Sequence, residues 1–134
     1  MTLRVHTARV SYGGPDRFDV TRKSGGPEGT PFAPSWSILN HVIDLYKKAK
    51  SFRATGDDGV ADAMEDSAWR EYAPRYVEEM RLSYRTEWPA WEALLARDEV
   101  TLVCYCTNAE RCHRRLLAEI LVKLKAVYEG ERTP

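Results

Sequence analysis

The residues best suited to chemistry lie together in one short stretch. Cys104, Cys106, Cys112 and His113 follow one another, with Arg114 next, and they include every cysteine of the chain. A thiolate is a nucleophile, a redox group and a soft metal ligand, and a neutral imidazole is both a base and a ligand. An odd cysteine count, in a chain that opens MTLRVHTARV without the apolar core of a signal peptide, argues against a disulfide framework.

Three chemistries compete for this cluster. The first is packing, because cysteine is often buried as a small hydrophobe. The second is thiol chemistry: Cys106, before a helix N-terminus, would gain from the dipole and the free N–H groups there, with His113 as acid/base or orienting partner. The outline is that of phosphatase loops, but four residues separate Cys106 from Arg111, not five, and none is glycine. The third is zinc, held by Cys104, Cys106, Cys112 and His113. The spacing C-x-C-x5-C-H departs from finger and ribbon patterns, and Cys104, inside a buried strand, would reach an ion poorly. Cys112 is the cysteine best explained by packing.

A second set of candidates lies near the N-terminus. Arg9, Arg17 and Arg22 surround a loop with two glycine pairs, and forked guanidinium donors beside exposed backbone N–H groups suit phosphate or carboxylate. The bland alternative is a solvated loop held by Arg–Asp pairs with Asp16 and Asp19. Arg114 joins the anion-binding candidates, although its spacing from Glu110 also predicts an i,i+4 surface pair.

The elements that must position these groups follow from residue patterns. Residues 3–12 read as a strand, 13–34 as a long loop with a short strand at 18–21, and 35–52 as an amphipathic helix. A helix from about Val60 to Tyr72 should stop at Pro74, where proline clashes with the preceding turn. A third helix carries Tyr76, Val77, Met80 and Tyr84, and Trp88-Pro89 opens a short fourth one. Val100 to Tyr105 form a continuous β-prone run, as in a strand buried on both faces. Thr107 and Glu110 fit a capping box, and helical spacing runs from Ala109 to Tyr128, leaving GERTP as a frayed tail. If strands 3–10 and 100–106 are parallel neighbours, their carboxyl ends bring the arginine loop beside the cysteines, where Arg17 or Arg22 would face Cys106 and His113. Of the aromatic residues, Trp36 could stack on a base, while ordinary burial puts most of the rest in the core.

The chain has 134 residues, with 43% hydrophobic and 30% charged. That suits one soluble α/β domain over 1–134, with a mostly parallel sheet flanked by helices. Lys plus Arg and Asp plus Glu are both 20, so the balance argues against a general polyanion binder. No apolar run is long enough for a membrane span, and the expected location is the cytoplasm.

The segment VTLVCYCTNAERCHRRLLAEIL resembles the C-terminal signature of the bacterial domain of unknown function 488 family. That signature is a hydrophobic strand, a cysteine, and a Cys-His-Arg tripeptide opening a helix, here Cys112-His113-Arg114. VHTARVSYGGPDRFDVTRKSGG resembles the start of a subgroup of that family. The chain departs from the pattern at Cys106, where the family carries an acidic residue. The resemblance implies a small α/β fold and a bacterial or phage origin, and no established reaction.

These readings lead to an enzyme-like cytoplasmic protein whose Cys/His/Arg cleft binds a small anionic ligand, such as a nucleotide or nucleic-acid component. Cys106 or Cys112 would be its reactive group. The alternatives are a non-catalytic module for nucleic acid or protein, and a domain stabilised by zinc. The leading expectation carries no cofactor, and zinc is the cofactor of the alternative.

Overall fold

A computed structural model describes every residue except Met1, Thr107 and Pro134. It contains four strands, β1 (Arg4–Arg9), β2 (Arg17–Asp19), β3 (Glu99–Cys104) and β4 (Val127–Arg132). The helices are α1 (Gly26–Gly29), α2 (Trp36–Ala54), α3 (Asp58–Thr86), α4 (Trp88–Leu95) and α5 (His113–Lys123). The strands form one sheet in the order β2-β3-β1-β4, and every pairing is parallel. The α/β architecture expected from the sequence is therefore the one observed.

The chain divides into two compact units. The first comprises residues 1–33 and 80–134 and holds the whole sheet. Its central pair is β1 and β3, with Val5 opposite Val100 and Arg9 opposite Cys104. Val100 to Cys104 are all buried, so the apolar run expected of a strand covered on both faces is just that. Parallel strands need a crossover connection, and α5 supplies it between β3 and β4, packing on β1, β3 and β4. Phe18, Phe32, Tyr84 and the fully buried Trp91 form an edge-to-face chain, and the Trp91 indole N–H donates to Ser83 Oγ at 3.0 Å.

The second unit, residues 34–79, holds α2 and most of α3. Ser35 caps α2, its Oγ accepting from the Ile38 N–H, and Ile38, Val42 and Ala49 form the buried stripe. Ala61, Ala68, Tyr72 and Tyr76 do the same on α3, where Trp69, Tyr72 and Tyr76 stack in succession. Trp36 is exposed.

Several expectations about elements need correction, among them the long loop, which contains the one-turn α1. Pro74 does not stop a helix, because α3 runs through it. Pro74 lies on an exposed turn, and so does Arg70, whose carbonyl loses its partner to the missing proline N–H and can turn to water. The C-terminal helix ends at Lys123, and Val127 and Tyr128 belong to β4. Residues 130–132, expected to fray, complete that strand, which pairs with β1 across a register shift between Val5 and His6. The capping-box reading at Thr107 falls outside the described residues. Glu110, its other member, precedes the helix, which starts at His113 with Cys112 as its N-cap. No helix among the described residues is long and apolar enough to cross a membrane.

Candidate functional site

Because β3 is parallel to its neighbours, its last residue, Cys104, lies at the carboxyl edge of the sheet, where open α/β folds place their ligands. The chain leaves the strand through Tyr105 and Cys106 and returns to the same edge at Cys112, immediately before α5. In the turn that reverses it, Asn108 Oδ1 accepts the N–H groups of Glu110 and Arg111, an Asx turn. This return gathers four donor groups. One ligand atom each from Cys104, Cys106, Cys112 and His113 lies within 4.8 Å of the others. The expectation that Cys104 would reach poorly from its strand is thus corrected: the loop folds back onto the strand end, so Cys104 need not reach. The Cys104 and Cys112 sulfurs are in direct contact, which the argument against a disulfide framework did not anticipate. Their Cα atoms are 7.9 Å apart, wider than the usual span of a relaxed disulfide, about 4.4–6.8 Å.

His113 is buried, and its Nε2 lies 2.8 Å from the Val20 carbonyl oxygen. A carbonyl only accepts, so Nε2 carries the ring proton and Nδ1 keeps its lone pair, 3.9 Å from Cys112 Sγ. Desolvation, helped by the Arg114 charge, lowers the His113 pKa to about 4, against the opposing pull of the Val20 hydrogen bond and the Asp19 charge. The imidazole is neutral near pH 7. A neutral ring with one nitrogen anchored on a backbone carbonyl is the usual state of a metal-bound histidine.

Val20 is held by a tight loop. The Asp19 carboxylate accepts from the Thr21 N–H at 2.8 Å, from Thr21 Oγ1 at 2.6 Å and from Ser24 Oγ at 2.6 Å. Burial alone would raise the Asp19 pKa, but these bonds and the Arg17 charge outweigh it and lower it. Gly29 packs directly on this turn, where an added Cβ would lie 1.9 Å from the Asp19 carbonyl oxygen. The Ser24 and Tyr105 hydroxyls meet at 2.8 Å, joining this loop to the residue before Cys106.

Arg114 is the largest correction at the site. It is not a surface partner of Glu110: its side chain is 0% exposed, and Arg115 pairs with Glu110 instead. Arg114 Nε and Nη2 donate to the two Glu131 carboxylate oxygens at 3.2 and 2.8 Å, a forked pair. Its Nη1 donates to Cys104 Sγ at 2.9 Å, to the Cys106 carbonyl at 2.9 Å and to Cys112 Sγ at 3.4 Å. Burial raises the Glu131 pKa, but Arg114 reverses this and lowers it.

Cys106 differs from its companions. The residue is exposed, whereas Cys104, Cys112 and His113 are 0%, 1% and 6% exposed. Its thiol nevertheless sits among neighbouring atoms, and desolvation raises its pKa, with Arg114 offsetting only part of the effect. That shift is opposite to the one an activated nucleophile needs.

The hydrogen bonds resolved for Arg17 and Arg22 are to backbone carbonyls of residues nearby in sequence. Arg9 is the exposed last residue of β1, in register with Cys104. Arg17 donates to the Tyr12 and Val10 carbonyls at 2.9 and 3.0 Å, and Arg22 to the Ala33 carbonyl at 3.0 Å.

A family model described as the active DUF488-N3 subclade matches residues 31–125, well over half of the chain. The chain belongs to this DUF488 family. The matched span includes all four clustered donors and Arg114, whereas Arg9 at the end of β1, Arg17 at the start of β2 and Arg22 after β2 precede it. No curated protein and no solved structure matches the DUF488 chain. Sequence reasoning missed Val20 and Glu131 as parts of the site. Val20 acts through its carbonyl, which carries no residue signature, and Glu131 fell in a segment read as tail.

Proposed function

We propose that this DUF488 protein is a zinc-centred α/β domain that handles a small anionic ligand at the carboxyl edge of its sheet. Cys104, Cys106 and Cys112 supply three thiolates and His113 supplies Nδ1. The observation that carries the reading is the convergence of these four donor atoms within 4.8 Å. Tetrahedral zinc with Zn–S bonds of about 2.3 Å separates its ligand atoms by about 3.8 Å, so the Cys104 and Cys112 sulfurs, in contact here, would part as reduced thiolates to bind it while staying inside that envelope. The Val20 carbonyl is the outer partner that orients the histidine, and Arg114 offsets the charge of the three thiolates. The description of the subclade as active supports a working centre over a purely structural one. We place the protein in a bacterial or phage cytoplasm, on the family resemblance and on the need for reduced thiols.

The leading alternative has no metal: Cys106 as a reactive thiol with His113 as its acid/base partner. The exposure of Cys106 favours it, and the raised Cys106 pKa counts against it. Metal analysis of protein purified under reducing conditions separates the two. The zinc reading expects about one ion per chain in the wild type and little in Cys104→Ala or Cys112→Ala. Metal-free wild-type protein after zinc-replete expression would overturn it.

A further inference from the structure

We propose that Cys106 is an exchangeable ligand, and that the position it vacates on the ion receives a small thiol-bearing molecule bound as its thiolate. This rests on the zinc reading above. It adds that the four donors are unequal.

Three of them are fixed by their surroundings. Cys104 ends a strand buried on both faces, and its sulfur accepts from the Arg114 guanidinium. Cys112 is buried at the start of α5 and also contacts that guanidinium. His113 is locked by the Val20 carbonyl. Cys106 has none of these restraints on its side chain. It follows the end of β3, the residue is exposed, and the contact that Arg114 makes with it is to its backbone carbonyl. Arg114 would therefore keep the backbone at position 106 in place while the thiol swings away.

Catalytic zinc sites keep three protein ligands and one open position, whereas structural sites are closed by four. Three anchored donors and one carried by an exposed residue match the first pattern, with Cys106 covering the open position at rest. The exchange conserves atoms and charge. The Zn–S bond to Cys106 breaks, the incoming thiol's sulfur bonds to zinc, and its proton passes to Cys106. A thiolate replacing a thiolate leaves both the donor type and the charge of the centre unchanged, which a carboxylate, a harder donor, does not. The linked Ser24 and Tyr105 hydroxyls beside this loop offer hydrogen bonds to polar parts of the entering molecule.

The test uses zinc-loaded wild-type protein and the Cys106→Ala, Cys104→Ala and Cys112→Ala variants, with cobalt(II) replacing zinc for absorption spectra. Cys106→Ala should retain most of its metal while the other two variants lose it. Adding 2-mercaptoethanol to cobalt-loaded Cys106→Ala should restore the sulfur-to-cobalt band of the wild type, and acetate at the same concentration should not. In wild-type holoprotein, iodoacetamide should alkylate Cys106 with the metal still bound, a readout that requires no variant to fold. Loss of metal from Cys106→Ala equal to that from Cys104→Ala, or metal release on alkylation, overturns the proposal and leaves the zinc reading standing. Restoration of the band by acetate but not by the thiol overturns the ligand class. A wild type without metal removes the zinc reading itself.

Discussion

The His113 Nε2 atom lies 2.8 Å from the carbonyl oxygen of Val20, 93 residues away in sequence. This contact fixes the ring proton on Nε2 and directs the Nδ1 lone pair to the sulfur cluster. It also makes the site dependent on the loop after β2, which has no thiol or imidazole of its own. The first prediction concerns that loop.

Gly29→Ala should destabilise the protein, because the new Cβ would collide with the Asp19 carbonyl oxygen. Overpacking of this kind costs about 1–3 kcal/mol. Gly13→Ala is the control, since a Cβ there meets nothing within 4 Å. Urea denaturation should give a lower midpoint for the first variant and a nearly unchanged one for the second. Equal midpoints would show that the β2 loop does not pack as described.

Arg114→Met should be more damaging than any exposed arginine substitution. It strands Glu131 and removes the donor from both buried sulfurs. Breaking a buried pair costs about 3–5 kcal/mol, and the lower figure applies here because the Glu131 side chain is 26% exposed. Arg114→Lys keeps the charge but loses the forked geometry, so it should rescue stability only in part. Full rescue by lysine would show that geometry is irrelevant.

Acid stability should depend on Asp16. Desolvation raises its pKa, but the Thr101 and Tyr12 hydroxyls and the Arg132 charge outweigh that and leave it lowered. A carboxyl whose pKa is lowered on folding stabilises the native state above its unfolded value, about 3.9. That contribution is lost as pH falls through the lower folded value. Asp16→Asn should therefore reduce stability at pH 7 and flatten its decline in acid. Denaturant midpoints between neutral pH and pH 3 check both effects, and parallel curves for the two proteins would refute the assignment.

Pro74→Ala should stabilise α3. Proline in a helix interior lacks the N–H that would bond the Arg70 carbonyl, and alanine restores it. The expected gain is about 1 kcal/mol or more, read as a higher thermal midpoint. A lower midpoint would mean that the proline serves the native helix.

Much of this architecture is legible in the sequence where the pattern has one reading. Val100 to Cys104 are all apolar or β-branched, and no half-exposed element fits them, so β3 is clear. The end of α5 is not clear. Leu117, Leu121, Leu124 and Tyr128 keep helical spacing past the true terminus. What ends the helix is Lys125 in the left-handed region at φ 84°, a role usually taken by glycine. Arg114 was misplaced for a related reason, since an i,i+4 pair with Glu110 requires a helix that starts only at His113. Three cysteines and a histidine in one stretch announced the site, but their convergence depends on a returning loop and a backbone carbonyl, and neither has a residue signature.

Zinc K-edge X-ray absorption on the reduced holoprotein tests the central claim most directly. The account predicts a four-coordinate ion with three sulfurs at about 2.3 Å and one nitrogen at about 2.0 Å. Protein that takes up no zinc and joins Cys104 to Cys112 in a disulfide, or an ion surrounded only by oxygen and nitrogen, would contradict it.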